Sequence, residues 1–502
     1  MTSAPPATSA LPARPRPRLS RPSWLSPSVA RTEILAGLVV ALALIPEAIS
    51  FSILAGVDPR VGLYSSFVMA VVIAFTGGRP AMITAATGAI ALVVAPLALQ
   101  YGVEYLFAAI VLGGIFQILL SLAGFARLMR FIPRSVMVGF VNALAILIFT
   151  AQLPYLVDVS WLVYPMVAAG LAIIFLLPRL TSAIPAPLVS IVVLTGLTVA
   201  AALTVPNVGD QGELPDSLPF FGIPAIPFDL ETLTIIAPYA LGVAFVGLME
   251  SLMTAKLVDD LTDTPSNKTR ESWGQGTANI ASGFFGGMGG CAMIGQTMIN
   301  VKSGARTRLS TFLSGVFLLV LVVALGDIVA IIPMAALVAV MIFVAIATFD
   351  WHSLRTIHRM PRSETTVMLT TVAGTLITHN LAIGVAAGVL VACVLFARRV
   401  AHLVQVTSVD DPDGDTRVYQ VSGALFFASS NDLYTQFDYA GDPENIVIDL
   451  TDAHIWDAST VAALDAITHK YETRGKQVQV IGLTGHSADR YDRHTGQLAG
   501  AH

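Results

Sequence analysis

Between about Glu33 and Val400 the chain is a succession of apolar runs separated by short polar loops, and this succession limits the fold more than any other feature. The runs fall near 34–55, 61–77, 82–99, 103–125, 134–156, 160–178 and 185–205. After a Pro-rich polar loop they resume near 231–257, 273–290, 293–303, 307–326, 328–349, 364–380 and 381–400. Most approach the roughly 20 residues that a helix needs to cross a bilayer. In hydrocarbon every backbone polar group must be satisfied within the protein, so runs of this length are helices. Composition agrees: 12% of the 502 residues are charged, against about 25% in soluble domains. Most of the chain therefore lies in lipid.

Fourteen segments make two groups of seven, and the short runs near 82–99 and 293–303 hold the third place in each. Charge placement tests the count. With a cytoplasmic N-terminus, the inside loops hold Arg79; Arg127, Arg130 and Arg134; Arg179; Lys256, Lys268 and Arg270; Lys302, Arg306 and Arg308; Arg355, Arg359 and Arg362; and Arg398 and Arg399. The outside loops hold Arg60 and little else that is basic, and the loop 206–231 carries Asp210, Glu213, Asp216 and Asp229 without a Lys or Arg. The positive-inside rule thus places both ends in the cytoplasm. Seven is odd, so two seven-segment copies have opposite topology. That is the inverted-repeat plan of secondary transporters, whose site lies where the repeats meet.

Within this frame the stretch Leu42-Ala43-Leu44-Ile45-Pro46-Glu47 is unusual. A carboxylate in hydrocarbon is costly and marks function by default, and Pro46 points to broken backbone beside a polar cavity. Glu47 is expected at mid-membrane depth next to a substrate pocket, as a proton-binding group, because burial favours the neutral carboxyl. The competing reading is a carboxyl that only ties two helices together. Glu250 holds the matching place in the first segment of the second half; it either orients the site or bridges the halves.

Two further stretches are rich in small residues: Ala81-Met82-Ile83-Thr84-Ala85-Ala86-Thr87-Gly88, and Gly286 to Gln296. Small residues let an anion approach backbone N–H groups at a helix start, which carries positive partial charge. Two such starts facing one another make an anion site without a formal cation; the alternative is close helix packing through glycine. Lys302, Arg306 and Arg308 read as inner-leaflet anchors, with attraction of anions to an inner vestibule as the sharper alternative. His352, His358 and His379 share no ligand spacing. The two cysteines, Cys291 and Cys393, lie in apolar segments and imply no disulfide framework. No nucleophile elbow or phosphate-binding loop occurs, so neither an enzyme nor an ATP-driven pump is indicated. The net charge of −5 argues against a nucleic-acid partner.

The ends differ in character. Residues 1–30, with Arg14, Arg16, Arg18 and Arg21, read as a disordered tail and not as a signal peptide, since no short apolar core with a cleavage site follows. Residues 31–400 form the membrane domain. From 401 to 490 the charged fraction rises. An acidic turn-rich loop, Asp410 to Asp415, precedes strand-like Val418–Val421 and Ile446–Leu450, helix-like 459–473 and strand-like Val478–Gly482. This is a small cytoplasmic α/β domain. The tail after Gly485, and 491–502 above all, reads as irregular and frayed.

These residues resemble a known family. Pro46-Glu47-Ala48-Ile49-Ser50-Phe51-Ser52-Ile53-Leu54-Ala55-Gly56, followed by Gly62-Leu63-Tyr64-Ser65-Ser66-Phe67, is similar to the first-helix and Gly-Leu-Tyr-Ser signature of the SulP anion transporters, solute carrier family 26. Asn300 to Thr307 resembles the segment after that family's tenth helix. Asp449-Leu450 with Asp457-Ala458-Ser459-Thr460-Val461 resembles a STAS domain. The resemblance runs from about residue 30 to 490. It implies an all-α membrane domain of seven plus seven segments, split into core and gate, with a STAS domain in the cytoplasm. It also implies a homodimer and an elevator-like movement of anions such as sulfate, bicarbonate, chloride or dicarboxylates. Carried over, the site comprises Glu47 and Phe51 on helix one, Thr84, Ala85, Ala86 and Thr87 on helix three, and Met293, Gly295 and Gln296 on helix ten.

Two positions depart from the family pattern. Animal relatives that exchange or conduct chloride often have Arg where Gln296 stands and Gln where Glu47 stands. An ionised Glu47 repels an anion strongly in low dielectric, so proton and anion are expected to bind together. The reading is a proton-coupled symporter of an oxyanion or (di)carboxylate, with no cofactor beyond the proton. A sodium-coupled bicarbonate or sulfate symporter is the alternative, with Glu250 and Thr254 as the oxygen donors on offer; an anion exchanger, a channel and a signalling protein anchored in the membrane are others. In the STAS segment, Ala458 stands where related antagonists of anti-sigma factors carry a phosphorylated Ser, so scaffold, dimer contact or a cytoplasmic partner are the open roles.

Overall fold

The computed structural model describes residues 26–128, 132–180, 185–401, 404–410 and 415–495. Residues 1–25 of the expected tail, Arg130, the centre of the acidic loop (411–414) and the end of the C-terminal tail (496–502) lie outside them. The described residues divide into two units. One runs up to Thr356 and takes in Thr371–Val385; the other joins Ile357–Thr370 to the residues from Ala386 onward. The division falls inside the last two long helices, not at residue 400.

Among the described residues, seven helices of fourteen residues or more precede the 206–229 loop: α1 (Pro27–Leu54), α2 (Pro59–Thr76), α3 (Gly88–Tyr101), α4 (Val103–Leu122), α5 (Arg134–Thr150), α6 (Val163–Leu176) and α7 (Ala186–Ala200). Seven helices of nine residues or more follow it, up to Ala401: α8 (Leu230–Thr262), α9 (Lys268–Phe284), α10 (Ile294–Lys302), α11 (Arg308–Ala324), α12 (Met334–Thr348), α13 (Arg362–Thr378) and α14 (Leu381–Ala401). Among the described residues, six helices are long and apolar enough to cross a membrane by themselves, and five shorter apolar ones accompany them. The protein is a multi-pass membrane protein.

Helices α1–α4 pack against α8–α11, with α4 on α9 and α8, and α11 on α1 and α2. Helix α12 packs instead on α5, α6 and α7. These two sets have the division into core and gate that the sequence led one to expect. They meet where α1 and α3 touch α5, α7 and α12.

The third segment of each half is the irregular one. It opens with extended backbone, β1 (Thr84–Ala85) in the first half and β2 (Cys291–Ala292) in the second. The strands pair antiparallel, Thr84 opposite Ala292 and Ala85 opposite Cys291. A Cβ on Gly290 would lie 1.9 Å from the Ala85 carbonyl oxygen, so only glycine fits there. Gly286 and Gly289 both have φ +70°, which suits glycine. The glycine run therefore serves a turn and a close strand pair, and the helix starts lie beyond it.

Other expectations are corrected. Helix α1 runs unbroken through Pro46, and one turn on Ser50 Oγ donates to the Pro46 oxygen at 2.8 Å. The run 273–290 is not apolar throughout: α9 starts at Lys268 and buries Glu271, Gln275, Asn279 and Ser282. Each makes a hydrogen bond, as when Asn279 Nδ2 donates to Gln117 Oε1 at 2.9 Å. Arg306 donates to the Val301 and Ala305 carbonyls, and Arg308 to those of Ala74 and Gly77, so both side chains are bound to the fold's own backbone.

The second unit carries a four-stranded sheet in the order β3 (Gln405–Asp410), β4 (Thr416–Leu425), β5 (Asn445–Ile455), β6 (Gln477–Ile481). The first pairing is antiparallel and the other two are parallel. Helices α15 (Phe427–Leu433), α16 (Ala458–Glu472) and α17 (Gly485–His494) accompany it. The expected frayed end is thus helical as far as His494, and it is tied down: Ile455 N–H donates to Ser487 Oγ and Arg490 Nη1 to the Ile455 oxygen. Asp457 caps α16, accepting from the Thr460 N–H at 3.1 Å, and also from the Phe427 N–H at 2.7 Å.

Candidate functional site

A cavity of about 580 Å³ opens at the seam of core and gate. Glu47 and Phe51 reach it from α1, Thr87 and Gly88 from the start of α3, Glu250 from α8, and Met293, Gly295 and Gln296 from the start of α10. Phe140 of α5 and Phe343 of α12 supply the gate side. Of the nine substrate-site residues expected from sequence, Thr84, Ala85 and Ala86 do not line it. All three are buried, and their backbone goes into the strand pair and the turn after it. A segment that precedes a helix start inside lipid must satisfy its own N–H and C=O groups. Thr84 Oγ1 is taken by Gln275 Nε2 at 2.9 Å, and the Ala86 N–H by Ser66 Oγ at 3.2 Å.

The two helix starts differ in how they are capped. Thr87 is the N-cap of α3 and its Oγ1 accepts from the Ile90 N–H at 3.4 Å. Met293 is the N-cap of α10 and offers no side-chain acceptor, so the first-turn N–H groups there have no side-chain cap. A Cβ on Gly295 would meet nothing within 4 Å: that glycine faces open space, where backbone can be approached. Gly88 is different, since a Cβ there would lie 2.8 Å from the Phe51 ring. The strand pair locks the two starts together: the Met293 N–H donates to the Ile83 oxygen at 2.9 Å, and the Ile83 N–H to Thr297 Oγ1 at 3.0 Å.

Among the described residues that line the cavity, Glu47 and Glu250 alone carry formal charge, and no Lys, Arg or His joins them. The Gln296 side chain is in interaction range of the Glu47 carboxyl. Glu250 meets a residue that sequence reasoning passed over: Cys291 Sγ lies 3.0 Å from Glu250 Oε2 and 3.2 Å from Thr87 Oγ1. A lone cysteine in an apolar setting gives no signal of this, because the contact depends on the strand register. A smaller cavity of about 190 Å³ lies on the other side of the same seam, lined by Ser50, Ile53, Gln152, Tyr155 and Met334. Neighbours on α1, Ser50 and Phe51, thus line different cavities, and buried Phe51 and Ile148 line the larger one.

Residues 31–165 and 160–371 match the family model described as the Sulfate permease family, and 407–495 match that of the STAS domain. The chain is 53% identical over 453 residues to YbaR of Bacillus subtilis (strain 168), named for sulfate transport, covering 90% of this chain and 94% of the relative. It is 25% identical over 517 residues to the bicarbonate transporter BicA of Picosynechococcus, covering 92% and 90%. Among solved structures, SLC26A9 superposes with a TM-score of 0.79 at 16% identity, covering 94% of this chain and 88% of the other. The transmembrane domain of a cyanobacterial BicA gives 0.61 at 23% identity, covering 72% and 97%. The chain therefore belongs to the sulfate permease family of anion transporters, the SulP or solute carrier family 26 group, and carries a STAS domain after its membrane domain.

Proposed function

We propose that the protein is a proton-coupled symporter of a small oxyanion or (di)carboxylate, in which Glu47 carries the proton. The observation that carries this reading is the composition of the cavity. Two helix starts and the donors Thr87 and Gln296 offer attraction to an anion, while the charged side chains at the wall are both acids. An ionised carboxylate and an anion in one low-dielectric cavity repel; protonation removes the penalty, so the two ligands bind as a pair. Glu250, on α8 of the same core set, supports the site. Sulfate leads the oxyanions to test because YbaR is named for it, and bicarbonate follows because BicA is.

In the proposed topology the N-terminus and the STAS domain are cytoplasmic. The cavity reaches Pro178 and Pro185, between α6 and α7, and Thr348 at the end of α12, which the positive-inside pattern assigns to the cytoplasmic side. The cavity is then the inward-facing vestibule, and movement of core against gate transfers the site to the smaller outer cavity in the manner of an elevator. The proposed assembly is a homodimer, with the STAS domain as dimer contact or as the surface for a cytoplasmic partner.

The test is uptake of labelled sulfate, bicarbonate and fumarate into proteoliposomes under an inward proton gradient, an inward sodium gradient, or neither. The expected result is accumulation under the proton gradient alone, lost in Glu47→Gln. Accumulation by that variant under the proton gradient removes Glu47 from the coupling, and accumulation under sodium alone favours the sodium-driven alternative.

A further inference from the structure

Glu250, Cys291 and Thr87 form a chain across the seam between the two repeats. Glu250 stands on α8, Cys291 on β2 and Thr87 at the start of α3. The sulfur is completely buried and Thr87 is 3% exposed, so the middle of the chain is closed to water. Oε2 to Sγ is 3.0 Å, Sγ to Oγ1 is 3.2 Å, and Oγ1 accepts from the Ile90 N–H at 3.4 Å. An ionised carboxylate only accepts, a thiol has one hydrogen to give and can accept weakly, and a threonine hydroxyl has one hydrogen.

These counts allow two directions for the chain, the second when the Glu250 proton sits on Oε2, the oxygen that faces the sulfur. With Glu250 ionised, the thiol hydrogen goes to the carboxylate. The sulfur is then left as an acceptor, and the Thr87 hydroxyl hydrogen goes to it; nothing is left to offer the cavity. With Glu250 protonated, its hydrogen goes to the sulfur and the thiol hydrogen to Thr87 Oγ1. The Thr87 hydroxyl hydrogen is then free for an anion in the cavity. No bond is made or broken beyond the proton on Glu250; two hydrogens reorient.

We propose that Cys291 is a positioning residue that relays the state of Glu250 to the Thr87 hydroxyl, presenting a donor to the anion only when Glu250 holds a proton. The groups facing Glu250 are Cys291 from β2, Thr87 from α3 and, across the same cavity, Glu47 from α1, with no basic side chain on the wall among the described residues. The proposal deepens the symport reading by adding a second proton-sensitive element at the same site, and it is tested without measuring transport.

The S–H stretch falls in a spectral window clear of other protein bands. Cys393, exposed on α14, is the other cysteine of the chain, so Cys393→Ala leaves a single thiol. Infrared spectra of that full-length protein in liposomes are taken from acid to alkaline pH. The expected result is a band that moves to lower frequency as pH rises, because a carboxylate is a stronger acceptor than a hydroxyl. Glu250→Gln should hold the band at its low-pH position throughout, and Glu47→Gln should leave it switching. Thr87→Val should move the low-pH band toward that of an unbonded thiol and leave the high-pH band in place. A band that does not move with pH, or one that Thr87→Val shifts equally at both extremes, overturns the relay. Because Glu47→Gln tests the coupling reading in uptake and leaves this band unchanged, failure of one does not imply failure of the other.

Discussion

Gly290 and Gly295 lie in one glycine-rich run, yet the space around them assigns them opposite roles. A side chain on Gly290 collides with the backbone of β1, whereas one on Gly295 enters the cavity without touching protein. Gly290→Ala should therefore lower the melting temperature of the purified protein and reduce its yield, because the two strands cannot keep their register. Gly295→Ala should fold with an unchanged melting temperature and raise the KM for the transported anion about tenfold, through loss of close approach to the helix start. Composition pointed to the run but could not divide it, since packing glycines and ligand-facing glycines are the same residue in sequence. Glu47 was readable because an acid in an apolar run is conspicuous. Thr84, Ala85 and Ala86 were misplaced because the sequence does not say on which residue a half-helix begins.

Two element starts in the core are held by two buried acids with the same job. Glu33, near the start of α1, accepts from the N–H groups of Arg306, Thr307 and Ser310 at the start of α11. Glu271, in the first turn of α9, accepts from the N–H groups of Gly78 and Arg79, ahead of the first strand. Each carboxylate satisfies donors that are orphaned at an element's start, and a hydrogen bond to a charged group contributes about 1.5–3 kcal/mol. Glu33→Ala or Glu271→Ala should accordingly destabilise the membrane unit by about 2–5 kcal/mol, measured as a fall in its unfolding midpoint in detergent. Neither acid stood out in the sequence, because each sits at the edge of an apolar run where ordinary loop charges also fall.

In the second unit a fully buried Asp442 is shared by Tyr419, Tyr471 and Arg417. Burial first, and the Asp442 hydrogen bond second, push the Tyr471 hydroxyl above its ordinary value of 10.0. A raised value means the neutral form is favoured in the folded state. Stability from this group is complete below pH about 10 and is lost as the unfolded chain ionises above it. Tyr471→Phe should cost about 1–3 kcal/mol at neutral pH and soften the alkaline loss, as followed by circular dichroism of the full chain. The strands of this unit were legible from alternation, but β3, α15 and the terminal helix were not: β3 is exposed at the sheet edge, and α17 buries none of its residues.

At the scale of the whole molecule, the run of apolar segments carried the architecture, since bilayer thickness acts on every crossing alike. What it could not carry is the pairing of the two third segments, which brings residues more than 200 positions apart within hydrogen-bond distance. In the mechanism proposed above, that pairing builds the anion site and Glu47 carries the proton. The proton itself is the most direct thing to follow. With a pH dye sealed inside proteoliposomes and no imposed gradient, addition of the transported anion outside should acidify the lumen in step with uptake, and should leave the dye unchanged with Glu47→Gln. Anion uptake by the unsubstituted protein with no change of lumen pH would contradict the account.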